Sequence, residues 1–317
     1  MRILLWHVHG AWTTAFVHGR HEYLIPVLPD RGPDGRGRAR TYRWPPSAVE
    51  VTPDQAADAQ VDVVLLQRPE ELGGLAERWL GGRRPGRDLP AVYLEHNAPQ
   101  GRVNQLRHVA ADRDDLVVVH VTHFNRLFWD CGRTPTRVIE HGIVDPGPRY
   151  SGELARSAVV INEAVRRGRV TGTDLLPRLA ADVGADLFGI DAASVRAPGV
   201  TPVGDLPQLR LHAELARRRL YLHPVRWTSL GLSLLEAMHL GMPVVALATT
   251  EVVEAVPPEA GVISTDVEVL AGAVRRLAAD AELARALGKA ARAAALARYG
   301  LGRFLADWDR LLEEVRR

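Results

Sequence analysis

The sequence predicts an α/β protein built from two doubly wound, parallel-sheet domains. Short apolar, β-branched runs alternate with longer stretches of helical periodicity along nearly the whole chain, which is the rhythm of successive strand–helix units. The strand runs are almost continuously apolar, as they are when both faces of a sheet are covered. At 317 residues the chain is long for one core, and a Pro/Gly cluster at Asp145-Pro-Gly-Pro interrupts the pattern near its middle.

In the first half, strands are expected at ILLWHV (3–8), VDVVLLQ (61–67), AVYLEH (91–96), LVVVHVT (116–122) and TRVIEH (136–141). LGGLAERWL (72–80) and HFNRLFWDC (123–131) read as helices. Residues 29–47 hold too many glycines, prolines and arginines for regular structure and read as a loop. The second half restarts with a strand at 158–163, a helix at 174–183, a strand at 185–190 and a helix at 206–219. It continues with a strand at 220–225, a helix at 232–240, a strand at 243–248, and two or three helices from Asp266 to the end. Open parallel sheets bind ligands at the carboxyl ends of their strands. The residues that follow each strand are therefore the first candidates, and the expected site is the cleft between the two domains.

Composition narrows the classes. Hydrophobic residues make up 46% and charged residues 25%, ordinary for a globular protein and against disorder. The single cysteine, Cys131, excludes an internal disulfide framework and fits a reducing compartment, so cytoplasm is the expected location. No apolar run reaches the roughly 18 residues of a membrane span, and MRILLWHVHG lacks the long apolar core of a signal peptide. The formal charge is only +2, yet Lys289 is the one lysine, so nearly all cations are arginines. That skew suits phosphate or carboxylate ligands; a GC-rich coding bias accounts for it equally well.

The stretch TSLGLSLLEAMHLGMPVVA, residues 228–246, places a carboxylate, Glu236, inside an apolar run. Gly231 at the helix start lets backbone approach an anion, and the free N–H groups of the first turn, at Leu232 and Ser233, favour a phosphate there. A carboxylate in the second turn stands at the height of a ribose whose diphosphate rests on the helix start. On the helix alone, an acidic residue near an N-terminus is accounted for as well by its favourable interaction with the dipole.

This stretch resembles the nucleotide-sugar signature of GT-B glycosyltransferases, above all the retaining group called glycosyltransferase family 4. Gly231, Leu232, Leu234, Leu235, Glu236, Ala237, Met238, Gly241, Pro243, Val244, Val245 and Ala246 stand in register with it. The resemblance implies that Glu236 holds the donor's ribose, and that Thr228 stands where the family has a second glutamate contacting the transferred sugar. TRVIEHGIVDPG (136–147) is similar to the family's segment before the interdomain linker, with His141 in place of an asparagine, and residues 259–280 and 300–315 are similar to its closing elements. The implied organisation is an acceptor-binding domain at 1–146, a nucleotide-sugar-binding domain at 147–299, and a helix at 300–317 that crosses back to the first domain.

In the family, the first strand of the second domain ends in glycine-arginine with a lysine following. Here Asn162 and Thr171 fall at the glycine and lysine positions, and Arg166, Arg167 and Arg169 are the guanidinium groups placed to grip a diphosphate, with a solvated loop as the alternative. By resemblance His96 is the expected catalytic residue, as proton carrier or hydrogen-bonding group, with Arg166 and Arg169 stabilising developing charge and Arg167 on the diphosphate. The turn HVHGAWTT (7–14) matches a glycine-rich loop that touches diphosphate and acceptor, so Gly10 and Trp12 are candidates, with core packing as the other reading for Trp12.

Other chemistries find less support. The nearest approach to a dinucleotide fingerprint, GRGRAR from Gly35, lacks its third glycine and follows no strand. Asp112-Arg-Asp114 and Asp307-Trp-Asp309 lie in a charged turn and on the last helix, and the twelve histidines form no zinc motif, so neither metal nor cofactor is expected beyond the nucleotide sugar as co-substrate. No basic stripe with interleaved aromatics points to nucleic acid; the Arg-rich loop 31–43 before Trp44 is expected to face an acceptor, an anionic membrane surface or solvent. The expected activity is sugar transfer, with retention, from a nucleoside-diphosphate sugar to a glycan, lipid-linked or small-molecule hydroxyl. The rival is a non-catalytic GT-B protein that binds nucleotide or glycan, or supports a partner transferase; a sugar-nucleotide epimerase or a phosphorylase comes third.

Overall fold

A computed structural model describes residues 1–317, and the chain divides into two compact units, Met1–Val144 with Leu301–Arg317, and Asp145–Gly300. Each unit is built on one parallel sheet.

The first unit carries β1 (Arg2–Leu5), β2 (Glu22–Pro26), β3 (Ala48–Val51), β4 (Val63–Leu66), β5 (Ala91–Glu95), β6 (Val117–His120) and β7 (Thr136–Val138). They lie in the order β3-β2-β1-β4-β5-β6-β7, every neighbour parallel, with Leu4 of β1 between Leu24 and Val64. Helices α1 (Gly10–Phe16), α2 (Pro53–Asp58), α3 (Ala76–Trp79) and α4 (His123–Phe128) are short. Where side chains are right for it, their starts are well capped. Thr52 accepts from the Gln55 backbone N–H while the Gln55 side chain accepts from the Thr52 N–H, and Pro53 occupies the first turn of α2. Residues 29–47 form the expected loop apart from one isolated bridge between Val27 and Arg36.

The second unit carries β8 (Leu154–Val160), β9 (Ala185–Phe188), β10 (Val200–Gly204), β11 (Arg218–His223), β12 (Val244–Leu247) and β13 (Gly261–Ser264), in the order β10-β9-β8-β11-β12-β13 and wholly parallel. This is the doubly wound 3-2-1-4-5-6 order, whose strand sequence reverses between β8 and β11. Its helices are α5 (Ala164–Thr171), α6 (Leu176–Leu179), α7 (Gln208–Arg217), α8 (Leu232–Leu240), α9 (Val252–Ala255), α10 (Val267–Ala279) and α11 (Ala281–Tyr299). After α11 the chain turns at Gly300 into α12 (Leu301–Arg316), which belongs to the first unit. There Phe304 and Trp308 of α12 pack edge-on against Trp12 of α1, and His21 meets Asp309 at 2.9 Å.

Helix α8 is apolar nearly all round and is buried accordingly, from Leu234 to Leu240. Gly241 ends it in the left-handed region, at φ 90°, where its N–H closes back on the last turn. Beneath that cap lies Gly288 of α11: a Cβ there would stand 2.0 Å from the Gly241 carbonyl oxygen. Backbone touches backbone at this point, and neither side can rotate away. Gly288→Ala is therefore expected to destabilise the second unit by about 2–3 kcal/mol, a lower melting temperature being the readout and an unchanged one the contrary result.

Candidate functional site

In the second unit the loops after β8 and β11 flank the point where strand order reverses. Gly172, at the end of α5, is in the left-handed region at φ 72°, and a Cβ there would overlap the Pro224 carbonyl oxygen. The backbone N–H groups of Arg226 and Trp227 both donate to the Val170 carbonyl oxygen, at 2.9 and 3.1 Å. Thr249 Oγ1, after β12, donates to the Val225 carbonyl oxygen at 2.8 Å. The loop 224–231 is thus clamped from both sides, and it delivers Gly231 to the start of α8.

Gly231 caps α8 with extended backbone, φ −71° and ψ 119°, and no side chain occupies the N-terminal N–H groups of the helix. Leu232 and Ser233 in the first turn are partly exposed, and Ser233 Oγ accepts from Tyr221 OH at 2.9 Å. One turn later Glu236 is 6% exposed. Two residues of α7 converge on its carboxylate: Gln208 Nε2 donates to Oε1 at 2.9 Å and His212 Nε2 lies 3.5 Å from the same oxygen. The second oxygen, Oε2, has no partner within the protein. Gln208 and His212 stand one helical turn apart on α7, so they share the face that meets α8. Nothing in the sequence tied them to Glu236, because the pairing crosses helices. Thr228 is half-buried and its side chain makes no hydrogen bond.

The three arginines after β8 separate once their partners are seen. Arg166 is paired with Glu163 at 2.9 Å through Nε, and Arg169 with Asp174 at 3.3 Å. Asp174 also takes both terminal nitrogens of Arg226, at 2.5 and 2.9 Å. Arg167 alone has no acidic partner for its guanidinium; partial burial and the neighbouring Arg166 hold it below the usual arginine range. An unpaired, half-buried guanidinium is the one that gains most from an incoming phosphate. The helix that carries it kinks at Gly168 and starts from Glu163 in the left-handed region, at φ 54°.

In the first unit, His96 follows β5 and is buried. Its Nε2 lies 3.0 Å from Gln67 Oε1, and Gln67 Nε2 donates to the Trp6 carbonyl oxygen at 2.7 Å. A carbonyl only accepts, so the Gln67 amide is oriented by it, and Nε2 of His96 carries the proton in the bond to Oε1. The ring of His9 lies against that of His96, tilted by 52° with centroids 4.1 Å apart, and His141 is the third member of the cluster. Burial first, then these two neighbours, keep His96 far below the usual imidazole range. His9 is pushed down to about 4 by burial and by Arg36 and His7, and His141 to about 3 by burial, His9 and Arg303.

Gly10 begins α1, and a Cβ on it would stand 2.6 Å from the Tyr42 ring, so the loop 31–43 folds onto that turn. Trp12 has no exposed surface and sits among Phe16, Phe304, Trp308 and the edge of His96. Its position is that of a core residue supporting the turn, the packing reading of the two. No group of three or more His, Cys, Asp or Glu side chains is arranged to hold a metal ion. No helix is long and apolar enough to cross a membrane.

Residues 197–294 match the family described as glycosyl transferases, group 1. The group 1 stretch runs from just before β10 into α11 and includes Gln208, His212, Thr228, Gly231 and Glu236; the three arginines and the first unit lie outside it. No curated protein matches the chain. Among solved structures, a sucrose-phosphate synthase from Thermosynechococcus elongatus superposes at TM-score 0.73 and 15% identity, with 99% of this chain and 98% of that one covered. Anabaena HepE, solved in complex with UDP-glucose, superposes at TM-score 0.71 and 16% identity over 99% of this chain and 100% of that one. A glycosyltransferase from Rickettsia africae does so at TM-score 0.63 and 13% identity over 99% and 97%. At such identities the likeness is one of fold, and the fold is GT-B.

Proposed function

We propose that this protein is a retaining glycosyltransferase of family 4 type, which binds a nucleoside-diphosphate sugar on its second unit and transfers the sugar to an acceptor hydroxyl without a metal ion. The observation that carries this is the buried carboxylate of Glu236, one oxygen braced by Gln208 and the other unengaged, one turn above an uncapped helix N-terminus inside the group 1 stretch. Two vicinal ribose hydroxyls suit that oxygen pair, and a diphosphate suits the helix start. Several proteins of similar fold have been solved with UDP or UDP-glucose, HepE among them, which favours a uridine donor as the first to try.

Charge on the leaving diphosphate would be held by the α8 N–H groups and by Arg167. Arg166 and Arg169 are already satisfied by Glu163 and Asp174. Arg167→Ala is therefore expected to weaken donor binding about tenfold, with Arg166→Ala and Arg169→Ala close to wild type; the reverse ranking, read by calorimetry, would move the role to another arginine. His96, neutral and proton-bearing at Nε2 toward Gln67, is suited to hydrogen bonding rather than to accepting a proton. In a retaining front-face reaction the leaving phosphate itself deprotonates the acceptor, so no protein base is required. The first unit is proposed as the acceptor side, the acceptor being a glycan, a lipid-linked sugar or a small molecule.

Thr228 favours a second reading, in which the protein binds the nucleotide sugar without transferring it, because no carboxylate stands at the position proposed to contact the sugar. Thermal shift with UDP-, GDP- and dTDP-sugars, followed by assay for donor hydrolysis, separates the two. A shift with slow hydrolysis supports transfer; a shift with none supports the second reading, and no shift with any donor rejects both.

A further inference from the structure

A nucleoside-diphosphate sugar carries about two negative charges on its diphosphate, and a helix N-terminus offers roughly half a positive charge. With Arg167 the only unpaired guanidinium after β8 and Lys289 the only lysine of the chain, on α11, the anion would remain under-neutralised. His223 ends β11, the strand beside the reversal point, and is 3% exposed. Neither of its ring nitrogens makes a hydrogen bond to the protein. The ring stands against the start of α8: a Cβ on Gly231 would stand 2.7 Å from its Cε1 and 3.2 Å from its Nε2. Gly231 is thus required by the imidazole as well as by any anion, and the Cε1–Nε2 edge of the ring adjoins the residue at which the uncapped helix begins.

We propose that His223 is a ligand of the donor's diphosphate and that it takes up a proton from solvent when the diphosphate binds. The inference rests on the donor site proposed above. Around the ring, β11 contributes the Tyr221 ring at 6.1 Å, whose hydroxyl is spent on Ser233, and α8 contributes Gly231. No charged group acts on His223 in the free protein; burial alone pushes it down to about 4. A phosphate against the ring reverses that balance, because an opposite charge in contact favours the protonated form. Donor affinity should then rise as pH falls toward 6, and the diphosphodiester of a nucleotide sugar does not itself titrate in this range.

The test measures binding of UDP-glucose, GDP-mannose and dTDP-glucose by calorimetry at pH 6, 7 and 8, for wild type, His223→Phe and His223→Gln, with the matching nucleosides as controls. The expected result is a wild-type affinity that increases several-fold from pH 8 to 6 with proton uptake, and a His223→Phe affinity that is flat with pH and about tenfold weaker at pH 6. His223→Gln, which keeps a donor but no titration, should be flat and intermediate. Nucleoside affinity should be unchanged in both variants, since a purely structural ring would affect nucleoside and donor alike. A folded variant that keeps the wild-type pH profile overturns the inference while leaving the donor site standing. If neither variant folds, a wild type that binds donor without proton uptake overturns it equally. A wild type that binds none of the three donors removes the donor site, and His223's role with it.

Discussion

Replacing Glu236 by alanine should lower the affinity for a nucleoside-diphosphate sugar at least about a hundredfold, since each hydrogen bond to a charged group contributes about 1.5–3 kcal/mol and two ribose hydroxyls are lost. The carboxylate is 6% exposed, so its ligand does not compete with bulk water for it, and Gln208 holds it in one orientation at 2.9 Å. Glu236→Gln keeps the shape and removes the charge; it should lose most of the affinity and little stability. Gln208→Ala should weaken binding less, about three- to tenfold, because it removes the brace and leaves the acceptor. Calorimetric affinity read beside the melting temperature separates binding from folding. An Ala variant that binds like wild type would falsify the assignment of Glu236.

Acid should unfold this protein earlier than its near-neutral charge suggests, and the first unit should go first. Burial pushes His9 and His223 down to about 4 and His120 and His141 to about 3. An imidazole whose native value lies below the unfolded value of about 6.5 binds its proton more tightly in the unfolded chain. Its contribution is complete above pH 6.5 and is lost as pH falls through that value toward the native one. Between pH 7 and 5 each such group removes about 2 kcal/mol, so the four together rival the 5–15 kcal/mol by which domains are stable. Three of the four belong to the first unit and only His223 to the second. Scanning calorimetry from pH 7.5 to 5 should show the transition of the first unit moving down further than that of the second. A melting profile that does not change over this range would sink the argument, and His141→Leu should flatten the pH dependence by about one group's share.

Much of the fold was legible because parallel strands buried on both faces leave unbroken apolar runs. The strands read at 61–67, 91–96, 116–122, 185–190 and 243–248 appear as β4, β5, β6, β9 and β12, and helix α8 spans Leu232–Leu240 as read. Four strands were not read: β2, β3, β10 and β13. Three of these are edge strands, and β2 lies next to one. An edge strand is buried on fewer sides, so β10 reads VTPVG, mostly exposed, with a mid-strand proline that an edge position tolerates. Likewise α1 was read as a turn, its glycine and threonines being weak helix formers; packing of Trp12 and Phe16 supplies what propensity lacks.

By itself the sequence determined the doubly wound character of both halves and the helix that carries Glu236, since apolar periodicity and a glycine at each end of α8 are local properties. Tertiary structure alone decided which charges are available. Glu163 and Asp174 neutralise two of three similar arginines and leave Arg167. Gln208 and His212 reach Glu236 from another helix, Gln67 sets the proton of His96 from another strand, and His223 meets Gly231 across a turn. Hydrogen bonds and ion pairs act over about 3 Å in space whatever the separation along the chain, so no spacing in the sequence records them.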